Sequence, residues 1–160
     1  NVTINTIPDK KENLEISQKI KEMILDRSKS IASKLNMTPL DVEVNLYYDT
    51  AKLVSRVGMT SDDRLGIFCG YVDYENSIHL AHPTGIEPIF TDNLWKKMGI
   101  MIDYTLYKYY LCKSFFPEAK DYKLYHKYLT DSLARILSGN YNRESIIYEI
   151  RTFTEFKTYT

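Results

Sequence analysis

The sequence has no excess of charge of either sign and no long apolar run. Lysine plus arginine and aspartate plus glutamate number 21 each, so the formal net charge is zero. A neutral chain has no overall field that attracts nucleic acid or an anionic membrane. No apolar stretch approaches the roughly 18 residues that a membrane span needs. We therefore predict neither a nucleic-acid partner nor a membrane span.

Histidine and cysteine are also scarce, with three and two residues respectively. Cys69 falls in a predicted strand and Cys112 near the end of a predicted helix, both among apolar neighbours. Such an environment favours buried free thiols over a disulfide. The sequence begins at Asn1 without methionine and without a signal-peptide pattern, so we expect that the natural start was trimmed or that the chain belongs to a longer protein. None of this identifies a compartment.

The length of 160 residues is that of one domain with a substantial core. The predicted fold class is α+β, with a small mixed or antiparallel sheet packed on a central buried helix. The order is an N-terminal helix within 1–37, strands and a hairpin within 40–90, the central helix over 92–113, and further helices within 119–160. The hairpin is predicted to join 64–73 to 77–81.

The central helix carries apolar side chains over most of its circumference. Its main face follows steps of three and four residues, and Ile102 and Leu106 widen that face. A helix of this kind is expected to be buried, with the rest of the domain packed around it. Gly99 costs about 1 kcal/mol relative to alanine inside a helix. We expect it to allow the close approach of another group.

Four segments of the chain, in order, carry a family resemblance. Residues 102–106, Ile-Asp-Tyr-Thr-Leu, have the frame of the zinc-protease signature H-E-x-x-H. Residues 128–135 resemble a segment W-L-x-E-G-x-A-E, and they follow a strand at 42–49 and a glycine-containing hairpin at 69–83 that ends in proline. Together, over about residues 40–140, the chain resembles the peptidase-MA-like gluzincins, which have a zincin-like fold.

The resemblance assigns a role to four positions and at the same time argues against activity. Ile102 and Leu106 stand where the family has its two zinc-binding histidines, Asp103 where it has the general base, and Asp131 where it has the third ligand. Aliphatic side chains have no lone pairs, and a catalytic zinc needs three protein ligands. Without the metal no water is activated. The resemblance therefore implies a pseudoenzyme with no metal and no cofactor, in which Ile102 and Leu106 are buried side by side and fill the zinc pocket.

The two aspartates leave alternatives open. Asp103 and Asp131 could face each other across a cleft, which would raise at least one pKa and create an acid pair or a cation site. His79, His82 or His126 could join such a rebuilt site, and the alternative function is then a hydrolase with a rebuilt or metal-free carboxylate site. Otherwise each aspartate has found a lysine, arginine or tyrosine partner.

The favoured function is a catalytically inactive domain with a binding or scaffolding role. Zinc proteases hold substrates along the edge strand of such a hairpin, and this binding does not require the metal. The predicted partner is a protein or an extended peptide. The predicted binding strand contains Phe68, Tyr71, Val72, Ile78 and His79.

Overall fold

The structure is a computed structural model, and it describes residues 1–7, 14–47, 53, 70–72, 77–81, 92–115 and 124–139. The described strands are β1 (Val2–Ile7), β2 (Val42–Tyr47), β3 (Gly70–Val72) and β4 (Ile78–Ala81). The described helices are α1 (Leu14–Lys34), α2 (Asp92–Phe115) and α3 (Leu124–Ser138). The predicted α+β class is confirmed. Among these helices, none combines the length and the apolar character needed to cross a bilayer.

The described strands form one mixed sheet in the order β1-β2-β4-β3. The first three strands of that order are parallel, and only β3 is antiparallel to its neighbour β4. The predicted hairpin pairing is thus present between β3 and β4, with Val72 opposite Ile78. The prediction left a mixed or an antiparallel sheet open, and the antiparallel alternative was wrong. Each parallel pair is joined by a long crossover, one of which contains α1.

The first strand of this sheet was missed, because residues 1–37 were assigned to an N-terminal helix. Residues Val2–Ile7 instead form β1, which pairs in register with β2. The N–H of Val42 donates to the carbonyl oxygen of Asn1 at 2.9 Å and so begins the parallel ladder. Val-Thr-Ile-Asn-Thr-Ile is rich in β-branched residues, which pack well on a pleated sheet.

The sheet has one face that belongs to the core. Residues in register share a side of a sheet, so Val44, Leu46, Ile78 and Leu80 lie on the same face, and all four are buried. Buried residues of α1 belong to the same core cluster. At the end of α1, Asn36 adopts a left-handed conformation with φ of 53°. The N–H of Met37 donates to the carbonyl oxygen of Ala32 at 2.8 Å, as in a Schellman cap.

Helix α2 is the central helix that the sequence predicts, and its buried character is confirmed. It runs from Asp92 to Phe115, two residues beyond the predicted end. Tyr110 is completely buried, and its hydroxyl bonds to Ser28 Oγ at 2.8 Å and accepts from the N–H of Leu40 at 2.9 Å. These bonds tie α2 to α1 and to the segment that leads into β2. Helix α3 packs on another side of α2.

Several predictions fall outside the described residues. They concern Cys69, His82, the first part of the hairpin with Phe68, and the last C-terminal helix. Between β2 and β3 only Leu53 is described, and it is helical and buried.

Gly99 has the close neighbour that its position in a buried helix predicts. A Cβ at this position would lie 2.5 Å from Nη2 of Arg27, a residue of α1. The guanidinium therefore lies on the bare backbone of α2 at Gly99. From there it also reaches Asp103, one helical turn further along α2.

This arrangement predicts that the effect of Gly99→Ala depends on Arg27. In an Arg27→Ala background the new methyl has space, and the helix gains about 1 kcal/mol from the better helix former. With Arg27 present the methyl displaces the guanidinium from Asp103, so the gain is smaller or changes sign. Urea denaturation of both single variants and the double variant measures the coupling. An equal effect of Gly99→Ala in both backgrounds would contradict the contact.

Candidate functional site

Ile102 and Leu106 occupy the two positions of α2 where the resemblance expects zinc-binding histidines. Their exposed fractions are 0% and 2% respectively, so both side chains lie in the apolar core, and their predicted burial is confirmed. Burying an aliphatic side chain here stabilises the fold by about 1.5–3 kcal/mol relative to leaving it exposed. Neither side chain can bind a metal.

Asp103, at the position of the general base, forms an ion pair with Arg27 of α1. The two side chains are partly exposed, so the pair is an interhelical contact near the surface rather than a buried site. Because the guanidinium also covers Gly99, the orientation of Arg27 is set by two residues of α2. The carboxylate of Asp103 is therefore engaged in holding α1 against α2.

Asp131, at the position of the third ligand, binds three side chains at the interface of α2 and α3. Its Oδ1 accepts from Lys108 Nζ at 2.6 Å and from the hydroxyl of Tyr104, and its Oδ2 lies 3.5 Å from Nη2 of Arg135. Burial alone would raise the pKa of Asp131. The charges of Lys108 and Arg135 and the hydrogen bonds from Lys108 and Tyr104 outweigh it, so the pKa of Asp131 lies below its ordinary value.

The resemblance requires Asp131 to approach the same face of α2 as positions 102 and 106, and the structure does not bring them together. Asp131 contacts Tyr104 and Lys108, which are each two residues further along the helix. Two residues of an α-helix correspond to a rotation of about 200°. Ile102 and Leu106 therefore face one side of α2, and Asp131 binds near the opposite side.

The two aspartates do not form a facing pair. Asp103 binds α1 through Arg27, whereas Asp131 binds Lys108 and Arg135. The alternative in which each carboxylate has found a cationic or tyrosine partner is confirmed. The alternative of an acid pair with a raised pKa was wrong for Asp131, because the nearby cations stabilise its ionised form.

His79 is also engaged away from the two aspartates. Its Nδ1 lies 3.0 Å from the hydroxyl of Tyr47, and both residues are buried. His79 is in register with Asn45, so it lies on the face of the sheet opposite to Val44 and Ile78. The side chain of His126 and all of His82 lie outside the described residues. In the part of the chain that the structure describes, no cluster of three or more potential metal ligands occurs.

The predicted binding strand offers mainly backbone to a partner. The side chains of Val72, Ile78 and His79 are buried within the chain itself. Tyr71 lies in β3 at the end of the sheet, and Phe68 lies outside the described residues. A segment added at β3 would therefore bind the edge of that strand that pairs with no other described strand, rather than the three buried side chains.

Cys112 is a buried free thiol, as its apolar neighbours predict. Burial raises its pKa above the ordinary value, although the hydrogen bond to Thr130 and the charge of Lys108 act in the other direction. A thiol that keeps its proton is a poor nucleophile. Cys112 is therefore part of the packing between α2 and α3.

Lys108 was not among the predicted site residues, although the sequence carries a signal for it. A lysine in a helix that is apolar on most sides must find an anion or leave a charge buried at high cost. Its side chain is 4% exposed, and Asp131 is the anion that it binds. The i,i+4 spacing of Tyr104 and Lys108 placed both donors on one face of α2.

A second feature that was not predicted, and for which the sequence gives no signal, is a polar cavity of about 510 Å³ at the amino ends of β1 and β2. Its lining includes Asp41, Glu43 and Tyr109. Asp41 binds the amino group of Asn1 at 2.9 Å, and Glu43 accepts from the side chain of Asn5 at 2.7 Å. Burial raises the pKa of Tyr109, whose hydroxyl donates to the carbonyl oxygen of Asp41. The acids of this cavity are thus already bound to neighbouring groups.

Comparison with known proteins gives no relative for this chain, since no family model, curated protein or solved structure matches it.

Proposed function

We propose that this chain is a catalytically inactive, zincin-like domain with a binding or scaffolding role. One observation carries the proposal: all four positions that the resemblance assigns to the metal site are used for structure. Ile102 and Leu106 are buried in the core, and Asp103 and Asp131 are held in ion pairs. None of the four is available to a metal or to a substrate.

The chemistry of these positions argues against the family's hydrolytic mechanism. A zinc that polarises water needs three protein ligands and an open coordination position. Of the three ligand positions, only Asp131 carries a carboxylate, and this group already interacts with Lys108 and Arg135. It does so on a different face of α2 from Ile102. Proton transfer by Asp103 would require this residue to leave Arg27.

The arrangement of β3, β4 and α2 supports the zincin-like part of the proposal. An antiparallel strand lies at one end of the sheet, its partner β4 follows, and the helix with the degenerate signature is the next described element. This is the order in which the resemblance expects an edge strand, a hairpin and the metal helix. The parallel strands β1, β2 and β4 form the rest of the sheet.

The binding role follows from the position of β3. Of the described strands, only β4 pairs with it. Strand edges present N–H and C=O groups at regular spacing, and an extended chain can bind them without rearranging the sheet. Because Val72 and Ile78 are buried, we expect the partner's backbone to supply most of the binding.

The test has a catalytic arm and a binding arm. Elemental analysis of the purified protein is expected to find no stoichiometric zinc, and peptide substrates are expected to remain uncut. Peptides selected from a random display library are expected to slow hydrogen exchange at Gly70–Val72 in the presence or absence of a chelator, and to leave exchange in α3 unchanged. Stoichiometric zinc, or proteolysis that a chelator abolishes, would overturn the inactive assignment. Selected peptides that protect another region would overturn the assignment of β3.

A further inference from the structure

Helix α3 carries an apolar face that points away from α2. Of the large apolar side chains that the structure describes as exposed, three lie on this helix, namely Leu129, Ile136 and Leu137. Leu133 lies between them and is half-buried. These four residues cover about 100° of the helix circumference and form what we call the outer face of α3. Asp131, through which α3 binds α2, lies on the opposite side.

The sequence that follows α3 contains a second apolar face. Residues 140–160 lie outside the described residues, and within them Asn142 is a good helix N-cap. Apolar residues then follow at steps of one, three and three, at Ile146, Ile147, Ile150 and Phe153. This spacing is that of one helix face, and charged residues such as Glu144 and Arg151 fall beside it. The pattern predicts an amphipathic helix over 143–155, which we call the C-terminal segment.

The link between α3 and the C-terminal segment is short. Helix α3 ends at Ser138, and Gly139 has a φ of 73°, the left-handed conformation in which many helices end. Only residues 140–142 then precede the segment. Helices that are joined by so few residues are typically antiparallel neighbours. In such a pair, residues that are equally far from the turn lie at the same level.

We propose that the C-terminal segment folds back as a helix antiparallel to α3 and covers its outer face. The two apolar patterns are mirror images about the turn. Counted from the midpoint between residues 141 and 142, three apolar pairs lie at the same level, and these are Leu137 with Ile146, Ile136 with Ile147, and Leu133 with Ile150. Phe153 is one residue from the level of Leu129. Each apolar residue of the outer face therefore meets an apolar residue of the segment.

The covalent link favours this occupant over a second copy of the chain or a separate partner helix. A segment tethered by a short linker acts at an effective concentration of about millimolar. A separate molecule must reach a comparable concentration to compete for the same face. The contact involves no residue of β3, so its test does not depend on the proposed function.

The first test reads the register through disulfide formation in a Cys69→Ser background, in which the remaining Cys112 is buried. Leu133→Cys with Ile150→Cys joins two positions at the same level. Leu133→Cys with Arg151→Cys is the matched control, because residue 151 lies about 100° further around the helix. The first pair is expected to close within one chain about tenfold faster, since a disulfide needs Cα atoms about 4.4–6.8 Å apart. Equal rates, or a disulfide between two chains instead, overturns the proposal.

The second test measures hydrogen exchange of the full chain and leaves the packing of α3 on α2 intact. Ile136 is 64% exposed on α3, so Ile136→Lys places a charge on the outer face alone. Exchange over 143–155 is expected to become about tenfold faster, because the segment opens more often. Thr3→Lys adds the same charge at an exposed position of β1 and is expected to leave exchange there unchanged. A segment that is unprotected in the unmodified chain, or equally protected in Ile136→Lys, overturns the proposal.

Discussion

Replacing Asp131 with asparagine is expected to lower the free energy of unfolding by about 3 kcal/mol, a value typical of breaking a buried ion pair from one side. The side chain of Lys108 is 4% exposed, and its ammonium would lose the anion that compensates its charge. The hydroxyl of Tyr104 would also lose its charged acceptor. Urea denaturation of the variant, with a check that the slope is unchanged, measures the effect.

Two further variants distinguish a buried pair from a general loss of charge. Asp41→Asn removes an aspartate whose side chain is 84% exposed. Among the described residues this carboxylate binds only the amino group of Asn1, so the free energy of unfolding is expected to stay unchanged. The double variant Lys108→Met with Asp131→Leu removes both charges together. It is expected to be more stable than Asp131→Asn, because the nearly buried ammonium of Lys108 is no longer left without its anion and only Arg135 loses a carboxylate partner. A double variant that is less stable than Asp131→Asn would show that the pair itself provides the stability.

The lowered pKa of Asp131 gives this prediction a pH dependence. A carboxyl group whose pKa is lower in the folded state than in the unfolded chain stabilises the fold above its unfolded pKa, which is about 3.9. That contribution is lost as the pH falls from there through the pKa of the folded state. The difference in unfolding free energy between the unmodified chain and Asp131→Asn is therefore expected to shrink below about pH 4. A difference that is constant from neutral to strongly acidic pH would contradict the assignment.

The elements that were predicted correctly depend on local periodicity. Helix α2 carries its apolar residues at steps of three and four, and its burial followed from that pattern, as did its extent to within two residues. Gly99 indicated a close neighbour, although only the structure identifies Arg27. The strand β1 carried the local signal as well, but its pairing with β2 is a contact across about 40 residues, which periodicity does not contain.

The arrangement of the candidate site depends on packing between helices, and this is why the sequence could not predict it. The frame of residues 102–106 places Ile102, Asp103 and Leu106 correctly along α2. The face of α2 to which α3 presents Asp131 depends on the crossing of the two helices. Tyr104 and Lys108 occupy that face. The spacing along the chain therefore predicted where these residues lie along their helices. It did not predict that they fail to meet at one site.

The same geometry predicts where a zinc site can and cannot be built. The double variant Ile102→His with Leu106→His restores the signature, but its imidazoles would point into the core, away from Asp131. We expect no stoichiometric zinc. We also expect a loss of stability of at least about 3 kcal/mol, because two well-packed aliphatic side chains are replaced by buried polar rings.

The matched variant places the same two histidines on the other face of α2. Tyr104→His with Lys108→His has the same i,i+4 spacing, and both positions already direct their side chains to Oδ1 of Asp131. A histidine is shorter than tyrosine or lysine, and a zinc ion about 2.0–2.1 Å from nitrogen and oxygen would occupy the space this creates. We therefore expect this variant to bind zinc more tightly than Ile102→His with Leu106→His, and to lose the metal when Asp131→Asn is added. If Ile102→His with Leu106→His bound zinc more tightly instead, α3 would have to approach α2 on the side of Ile102. The signature positions and Asp131 would then have the geometry of a metal site.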